Sequence, residues 1–248
     1  MITKKKPEEI QLLARSGKIL AGVVYEVAKN AKPGKDVLEL DKLAESLILK
    51  SGAKPSFKGF EGYPNATCIS INHGVVHGIP RAGRKLKNGD IVGIDIGVEY
   101  QDFFTDMAVT VPVGEVPPEA KKLIKVTEQA LYEGIKNARP GSRIGDIGYA
   151  IQTFVEKYNF SVVRSLVGHG VGYEVHEEPR VPNFGDKHQG IILEEGMVLA
   201  LEPMVNIGGP EVITETDGWT VITVDHSLSA HFEHTIAITK NGPKILTK

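Results

Sequence analysis

Apolar residues recur at helical spacing in four stretches of the chain, and these stretches form two similar pairs. The first pair covers residues 10–27 and 37–47, and the second covers residues 123–135 and 144–154. Within each stretch the apolar positions lie three or four residues apart, which places them on one face of an α-helix. A Pro-Gly turn separates the members of each pair, and short strand-like runs with Gly/Asn/Pro punctuation follow. The pattern predicts two halves, each with two helices followed by strands.

The two halves also share a constant sequence offset. Ala31-Lys-Pro-Gly34 recurs as Ala138-Arg-Pro-Gly141, 107 positions later, and Asp95 and Glu202 are separated by the same offset. Two α+β segments that merely shared common residues would not be expected to keep both the order and the offset. Because no linker divides the halves, we predict a single domain over residues 1–248, with an internal repeat of about residues 7–113 and 116–241.

Two similar halves in one chain commonly pack about a pseudo-twofold axis, and a site near that axis can take ligands from both. We therefore expect an α+β fold in which antiparallel sheet from each half lines a central cleft. The helices are expected to cover the outer faces of the sheets.

Each half carries two carboxylates inside strand-like segments. Asp95 follows an apolar run and Asp106 opens the next one, and Glu202 and Glu233 occupy the corresponding places in the second half. Buried carboxylates repel one another, and each is costly to bury alone. A positive group, most simply a metal ion, is therefore expected among the four.

The strand around Asp95 leaves space beside the carboxylate. Apolar residues in the segment 92–98 alternate with Asp95 and its two glycine neighbours, so the side chains nearest to Asp95 on its own face are absent. If the turn falls at Tyr100-Gln101, Asp95 and Asp106 lie opposite each other, with Cβ atoms about 5 Å apart.

The second pair of acids has a different setting. We expect Glu233 to share one face of a strand with His231 and Thr235. Glu202 precedes Pro203, which has no N–H for a strand ladder, so a strand end or bulge is expected there.

His169 is the best-placed nitrogen ligand. Glycines on both sides of it, in Val167-Gly-His-Gly-Val-Gly172, let the backbone approach a ligand. A phosphate loop is rejected because the dinucleotide spacing fails and no helix signal follows. Four carboxylates and one imidazole suit two divalent ions such as Mn, Fe, Co or Zn, about 3.5–4 Å apart, which activate a water. The residues alone predict a two-metal hydrolase and leave its substrate open.

The other histidines divide into two groups. His77 and His176 are flanked by turn residues, which suits either a loop position or a functional one. The remaining histidines have no comparable setting and are interpreted as structural or surface residues: His73, His188, His226, His231 and His234.

Composition limits the class of protein. The chain has 248 residues, 41% of them apolar, and a formal net charge of −2, which argues against a broad nucleic-acid footprint. Neither a signal peptide nor an apolar stretch long enough to span a membrane is recognisable. A single cysteine, Cys68, excludes an internal disulfide and a thiolate metal cage. We expect a soluble protein of a reducing compartment.

The chain resembles the type I methionine aminopeptidases, M24-like metallopeptidases with the pita-bread fold. The resemblance covers nearly the whole chain. The motifs that carry it are Gly62-Tyr-Pro-Asn-Ala-Thr-Cys-Ile-Ser-Ile-Asn72, His77-Gly-Ile-Pro80, Asp95-Ile-Gly97, Gly168-His-Gly-Val-Gly172, His176-Glu-Glu-Pro179, Glu202-Pro-Met204 and His231-Phe-Glu-His-Thr235.

The resemblance implies a role for each metal-ligand candidate. Asp95 would chelate one ion, His169 and Glu202 would hold the other, and Asp106 and Glu233 would bridge the two. Glu202 would also manage the proton of the attacking water. The ions would be Co, Mn, Fe, Zn or Ni. A weaker implication is a monovalent cation near two further residues, Asn72 and Ser229.

The resemblance also implies how substrate is held. His77 would lie beside the scissile bond, and His176 would polarise the carbonyl or stabilise the oxyanion. The pocket for the first side chain would be built from Tyr63, Cys68 and Trp219, with Phe60 beside them, a polarizable wall suited to a thioether. The chain departs from its relatives at Val175, where they often have an aromatic residue, and at Glu61, where some have histidine.

The implied function is removal of the initiator methionine from nascent polypeptides in the cytoplasm when the second residue is small. A transient ribosome contact and a monomeric state are further expectations, with no membrane and no specific nucleic acid as partner. One alternative is a proline-directed aminopeptidase or dipeptidase on the same scaffold. The other is a non-catalytic peptide- or RNA-binding relative, although none of the five ligands is lost.

Overall fold

The computed structural model describes residues 2–248, and its helices lie where the apolar periodicity predicts them. The long helices are α1 (Pro7–Asn30), α2 (Val37–Lys50), α3 (Pro118–Asn137) and α4 (Ile144–Glu156), with a short 3-10 helix at Phe60–Gly62. Asp36 caps α2 by accepting a hydrogen bond from the N–H of Leu38 at 2.9 Å. Pro7 and Pro118 begin α1 and α3, at the position where a missing N–H is not needed. All four predicted helices are confirmed.

Fifteen short strands lie within residues 2–248. They are β1 (Lys54–Pro55), β2 (Thr67–Ile71), β3 (Gly74–Val76), β4 (Ile91–Tyr100), β5 (Phe103–Pro112), β6 (Ser161–Val162), β7 (Gly168–Gly170), β8 (Glu177–Val181), β9 (Val198–Leu201), β10 (Met204–Asn206), β11 (Val212–Thr214), β12 (Val221–Thr223), β13 (Ser229–His231), β14 (His234–Thr239) and β15 (Gly242–Ile245). Their described pairings are all antiparallel.

The strands form four sheets. One has the order β1-β4-β2 with β5 on the other side of β4, and another has the order β15-β14-β9-β7-β8. Two smaller sheets have the orders β13-β10-β6 and β11-β12-β3. Helix α1 packs on β4 and β5, and α3 packs on α4 and β13, with one large apolar core between helices and sheets. The predicted α+β fold with antiparallel sheets is confirmed. Within residues 2–248, no helix is long and apolar enough to cross a membrane.

The two Pro-Gly turns make the same contact in each half. Gly34 and Gly141 both have φ +86, a left-handed conformation that glycine adopts without strain. The Gly34 N–H donates to the carbonyl oxygen of Leu86 at 2.7 Å, and the Gly141 N–H donates to that of Leu193 at 2.8 Å. Both members of the second contact lie 107 positions after those of the first. The internal repeat stays a prediction that these paired contacts support.

The register of the β4–β5 hairpin differs from the prediction. The turn is at Gln101 and Asp102, with φ +51 and +64, rather than at Tyr100-Gln101. Two left-handed residues give a turn whose twist matches that of the flanking strands. Asp95 therefore lies opposite Ala108, not Asp106. Because the shift is by two residues, both aspartates keep the same face of the hairpin, in diagonal positions.

The acids of the second half lie at breaks between strands. β9 ends at Leu201 and β10 begins at Met204, which confirms the strand end predicted from Pro203. Glu202 and Pro203 connect strands of two different sheets. The predicted continuous strand through Glu233 is wrong, because β13 ends before it and β14 begins after it. At both breaks the chain passes between the same two sheets. In one sheet β10 pairs with β13, and in the other β9 pairs with β14.

Candidate active site

The side chains chosen from the sequence come together around one cavity of about 120 Å³. All eleven predicted metal and substrate residues line it: Phe60, Tyr63, Cys68, His77, Asp95, Asp106, His169, His176, Glu202, Trp219 and Glu233. Phe57 and Glu61 complete the lining. The cavity therefore combines an ionisable cluster with an aromatic wall.

Two carboxylates at one end of the cavity each have an oxygen without a hydrogen-bond partner among the described residues. Asp106 and Glu233 are 5% and 2% exposed. The Oδ1 atom of Asp95 and the Oε1 atom of Glu233 are buried, and among the described residues neither has a hydrogen-bond partner. A buried carboxylate oxygen without a donor is costly. A cation among these oxygens would remove that cost.

The pKa values of the four acids are all raised, because their charged forms are unfavourable in this buried cluster. Burial raises the pKa of Asp95 to about 7. Burial, and then the charge of Asp95, raises the pKa of Asp106 and that of Glu202 well above the ordinary values. The pKa of Glu233 is raised by burial and then by the charge of Asp106. Protons or metal ions must balance this cluster near neutral pH, and a metal ion would displace the protons.

A nitrogen donor faces the carboxylates. One ring nitrogen of His169 and one oxygen each from Asp106 and Glu233 lie within 4.8 Å of one another. Nδ1 of His169 lies 2.8 Å from the carbonyl oxygen of Gly170, which can only accept, so Nδ1 carries the proton. Nε2 is then free as a ligand atom and lies 3.5 Å from Oε1 of Glu202. The orphaned oxygens and this oriented imidazole fit a divalent metal site.

The glycines beside His169 are required by close packing. A Cβ at Gly168 would stand 2.4 Å from the carbonyl oxygen of Ala200, and a Cβ at Gly170 would stand 2.4 Å from that of Glu178. β7 lies between β9 and β8, and the backbones of these neighbours come too close for a side chain at position 168 or 170. These contacts bring His169 next to the end of β9, where Glu202 follows.

Two more imidazoles lie at the mouth of the cavity. His77 follows β3 with φ +57, and burial lowers its pKa to about 4. The ring of His176 meets that of His169 edge-on at 4.4 Å and that of Phe60 at 5.3 Å. Burial lowers the pKa of His176, and the charge of Glu61 opposes that effect. Both side chains are neutral near pH 7, so each presents one N–H donor and one acceptor.

The opposite wall of the cavity is aromatic and soft. The rings of Tyr63 and Trp219 meet edge-on at 5.1 Å, and the Tyr63 hydroxyl donates to the carbonyl oxygen of Thr67 at 3.0 Å. Burial raises the pKa of the Cys68 thiol, so it is uncharged. Val175 packs into the same cluster. The wall offers polarizable surface, and the Tyr63 hydroxyl on it is already hydrogen-bonded.

Two residues of the site were missed from the sequence. Phe57 belongs to the aromatic wall and had no distinguishing signal. His231, interpreted above as structural or surface, is 3% exposed, and its Nε2 lies 3.7 Å from Oε2 of Glu202. That nitrogen has no hydrogen-bond partner among the described residues. Its two-residue spacing from Glu233 was the available signal.

Outside the cavity, an open groove of about 760 Å³ leads away from it. It shares His77, His169, His176 and Glu202 with the cavity, and its other lining includes Thr3 from the N-terminal segment. The arrangement is a small cavity, a cluster of metal-ligand candidates and a larger groove that adjoins both.

The positions suggested for a monovalent cation are also adjacent. The N–H of Ser229 donates to the carbonyl oxygen of Asn72 at 2.9 Å, and Asn72 has φ +58. Asn206 pairs with Ser229 across β10 and β13, and its Oδ1 is buried with no partner among the described residues.

Comparison with known proteins identifies the family. A family model described as metallopeptidase family M24 matches residues 11–240. The chain belongs to this family. Within it, the chain is 50% identical over 248 residues to methionine aminopeptidase 1 of Bacillus subtilis, covering 100% of both chains. It is also similar to the solved structure of methionine aminopeptidase from Thermotoga maritima, with a TM-score of 0.98, 47% identity and 100% coverage of both chains. The resemblance to type I methionine aminopeptidases and the pita-bread fold are thereby confirmed.

The chain is also similar in structure to prolidases. The solved prolidase from Pyrococcus furiosus has a TM-score of 0.79 and 26% identity, and this chain covers 65% of it. The M24 scaffold is thus shared, but the identity to methionine aminopeptidases is much higher and extends over whole chains.

Proposed function

We propose that this chain is a methionine aminopeptidase, which hydrolyses the peptide bond after an N-terminal methionine. The observation that carries the proposal is the 120 Å³ cavity in which a thioether-compatible wall faces a cluster of metal ligands. A cavity of this size holds one side chain. The methionine aminopeptidases that match over full length support the same activity.

Five residues would hold the metal ions. They are Asp95, Asp106, His169, Glu202 and Glu233, whose carboxylate and imidazole groups would serve as the metal ligands. When bound, two divalent ions would supply a nucleophilic water at neutral pH and polarise the scissile carbonyl. The orphaned carboxylate oxygens and the oriented Nε2 of His169 support this assignment.

The protein's own groups would perform the remaining steps. A carboxylate oxygen of Glu202 would accept the proton of the attacking water, because a bound metal ion would displace the proton that burial otherwise keeps on this carboxyl. The neutral His176 ring would donate its N–H to the oxygen on which charge develops. His77, at the junction of cavity and groove, would contact the departing chain. Tyr63, Cys68 and Trp219, with Phe60, would enclose the methionine side chain.

A comparison of peptides tests the proposal. Purified protein is stripped with EDTA, reloaded separately with Co, Mn, Fe(II), Zn or Ni, and assayed on Met-Gly-Met-Met, Met-Pro and Ala-Pro peptides. We expect methionine release from the first peptide and little cleavage of the Ala-Pro peptide, which has no N-terminal methionine. Preferred cleavage of Ala-Pro would instead favour the proline-directed alternative. A protein that regains no divalent ion would favour a peptide- or RNA-binding role.

Two variants and a matched control test the ligand roles. Asp95→Asn and Glu233→Ala should lose metal and activity together. Asp102→Asn, at the tip of the same β4–β5 hairpin, should keep both. Wild-type turnover by either site variant would refute the mechanism.

The cellular substrates and location of the protein are a separate part of the proposal. We propose that the substrates are the N-termini of nascent polypeptides with a small second residue, and that the protein acts in the cytoplasm. A monomeric state, a transient ribosome contact and a monovalent cation at Asn72 and Ser229 stay predictions. The adjacency of these two residues and the unpartnered Oδ1 of Asn206 support the cation.

A further inference from the structure

Lys5 forms a buried ion pair that the reaction described above does not use. Its Nζ lies 2.6 Å from Oε2 of Glu177, and the two side chains are 1% and 6% exposed. The adjacent Lys4 also pairs with a glutamate, Glu194, but those side chains are 50% and 53% exposed. Burying an ion pair removes two charges from water and is seldom a net source of stability. The burial of Lys5 therefore suggests a role in specifying geometry.

The fold makes room for Lys5. Its N–H donates to the carbonyl oxygen of Gly196 at 2.7 Å. A Cβ at Gly196 would stand 2.9 Å from the carbonyl oxygen of Lys5, and a Cβ at Gly172 would stand 2.5 Å from its Cε. Two glycines thus border the lysine, one at its backbone and one at its side-chain stem. Lys5 is held in one position.

Glu177 connects Lys5 to the loop that carries His176. Its Oε1 accepts hydrogen bonds from the backbone N–H groups of Tyr173 at 2.6 Å and Glu174 at 3.2 Å. Its Oε2 accepts from Lys5 and from the Thr3 hydroxyl. One carboxylate therefore joins both ends of the segment 173–177 to the N-terminal segment.

Tyr173, at the start of the segment 173–177, also contacts the N-terminal region. Nζ of Lys5 lies 4.8 Å from the centre of the Tyr173 ring, a cation–π contact. The Tyr173 hydroxyl donates to Oε2 of Glu9, in the first turn of α1, at 2.8 Å. His176 lies inside this clamped segment, next to Glu177, and its ring packs edge-on against the ring of His169.

We propose that Lys5 is a positioning residue for the aminopeptidase reaction. Through Glu177 it fixes the segment 173–177 and so holds the His176 imidazole at the mouth of the cavity. The inference rests on the proposed function, because it assigns His176 a part in turnover.

A double-mutant cycle tests whether Lys5 acts through His176. Lys5→Met keeps most of the apolar stem and removes the ammonium. With metal-loaded protein and a Met-Ala-Ser peptide, we expect kcat/KM to fall about tenfold to a hundredfold, as displacement of a catalytic group by about 1 Å can do. In a His176→Ala background the same substitution should change kcat/KM less than about twofold, since coupled residues are non-additive. Lys4→Met is the matched control and should leave kcat/KM unchanged in both backgrounds.

Two further measurements separate positioning from general destabilisation. Metal content should be unchanged in Lys5→Met. The hydrogen-exchange rate of the segment 173–177 should rise in Lys5→Met and stay at the wild-type value in Lys4→Met. If Lys5→Met does not fold, Glu177→Gln, which removes the negative charge, takes its place in the cycle with the same expected results. Equal losses in both backgrounds, or unaltered kcat/KM, would overturn the proposal.

The test also distinguishes this inference from the proposed function. If the wild-type protein releases no methionine, the proposed function fails and with it the role of His176 in turnover. If the wild-type protein is active and hydrogen exchange in the segment 173–177 is the same in Lys5→Met, only the positioning role fails.

Discussion

Asp95 should destabilise the metal-free protein, and Asp95→Asn should therefore make that form more stable. Burial raises the pKa of Asp95 from 3.8 to about 7. At about 1.36 kcal/mol per pKa unit, ionising Asp95 in the folded protein at pH 8 costs at most about 4 kcal/mol more than ionising it in the unfolded chain. Asparagine fills the same space without the charge. Its gain in the free energy of unfolding should approach this value at pH 8 and be small at pH 4.

The sign of the pH effect follows from the direction of the shift. Because the folded-state pKa of Asp95 is raised, the folded protein holds a proton that the unfolded chain releases between about pH 4 and pH 7. The stability of the metal-free wild type should thus fall as pH rises through that range, and Asp95→Asn should fall less. Urea unfolding in EDTA at pH 4, 6 and 8, followed by circular dichroism, measures this. An Asp95→Asn protein no more stable than the wild type at pH 8 would refute the reasoning.

A second buried aspartate provides the control. Asp41 is 4% exposed, and its Oδ1 accepts hydrogen bonds from the N–H groups of Ala66 at 3.0 Å and Thr67 at 2.9 Å. Because these donors would lose a charged acceptor, Asp41→Asn should lower the free energy of unfolding by about 1–3 kcal/mol in the same assay. Opposite signs for two buried Asp→Asn changes would separate an unsatisfied carboxylate from a satisfied one.

Two further predictions concern Gly17 and His231, each with a matched control substitution. Gly17→Ala should lower the free energy of urea unfolding by about 1–3 kcal/mol, because the new Cβ would stand 2.3 Å from the carbonyl oxygen of Leu246. Gly22→Ala, in the same helix and with nothing within 4 Å of its Cβ, should raise it by up to about 1 kcal/mol, so equal effects would contradict this account. His231→Leu should weaken Mn²⁺ binding about tenfold in calorimetry by removing the imidazole beside Glu202, whereas His231→Gln should bind nearly as well as the wild type. Unchanged Mn²⁺ affinity in His231→Leu would show that Glu202 needs no such neighbour.

The sequence alone was sufficient for the helices and for the chemistry of the site. Helix α1 follows from apolar spacing within one segment, a local property that does not depend on the rest of the chain. The metal-ligand candidates could be recognised because buried acids in strands are unfavourable without a cation, and their motifs match a known family. That they line a single cavity agrees with this interpretation.

Tertiary structure decided what depends on pairing between distant segments. The β4–β5 register follows from the left-handed conformation of Gln101 and Asp102. The residue types around this turn prefer that conformation too weakly for its position to be predicted from the sequence. His231 enters the site because β13 pairs with β10 and the chain then changes sheet, and Lys5 reaches Glu177 only because two distant glycines leave space for it. Such contacts join residues far apart in sequence, and no local pattern records the distance between them. The sequence thus determined which side chains could do the chemistry, and folding determined which of their neighbours support it.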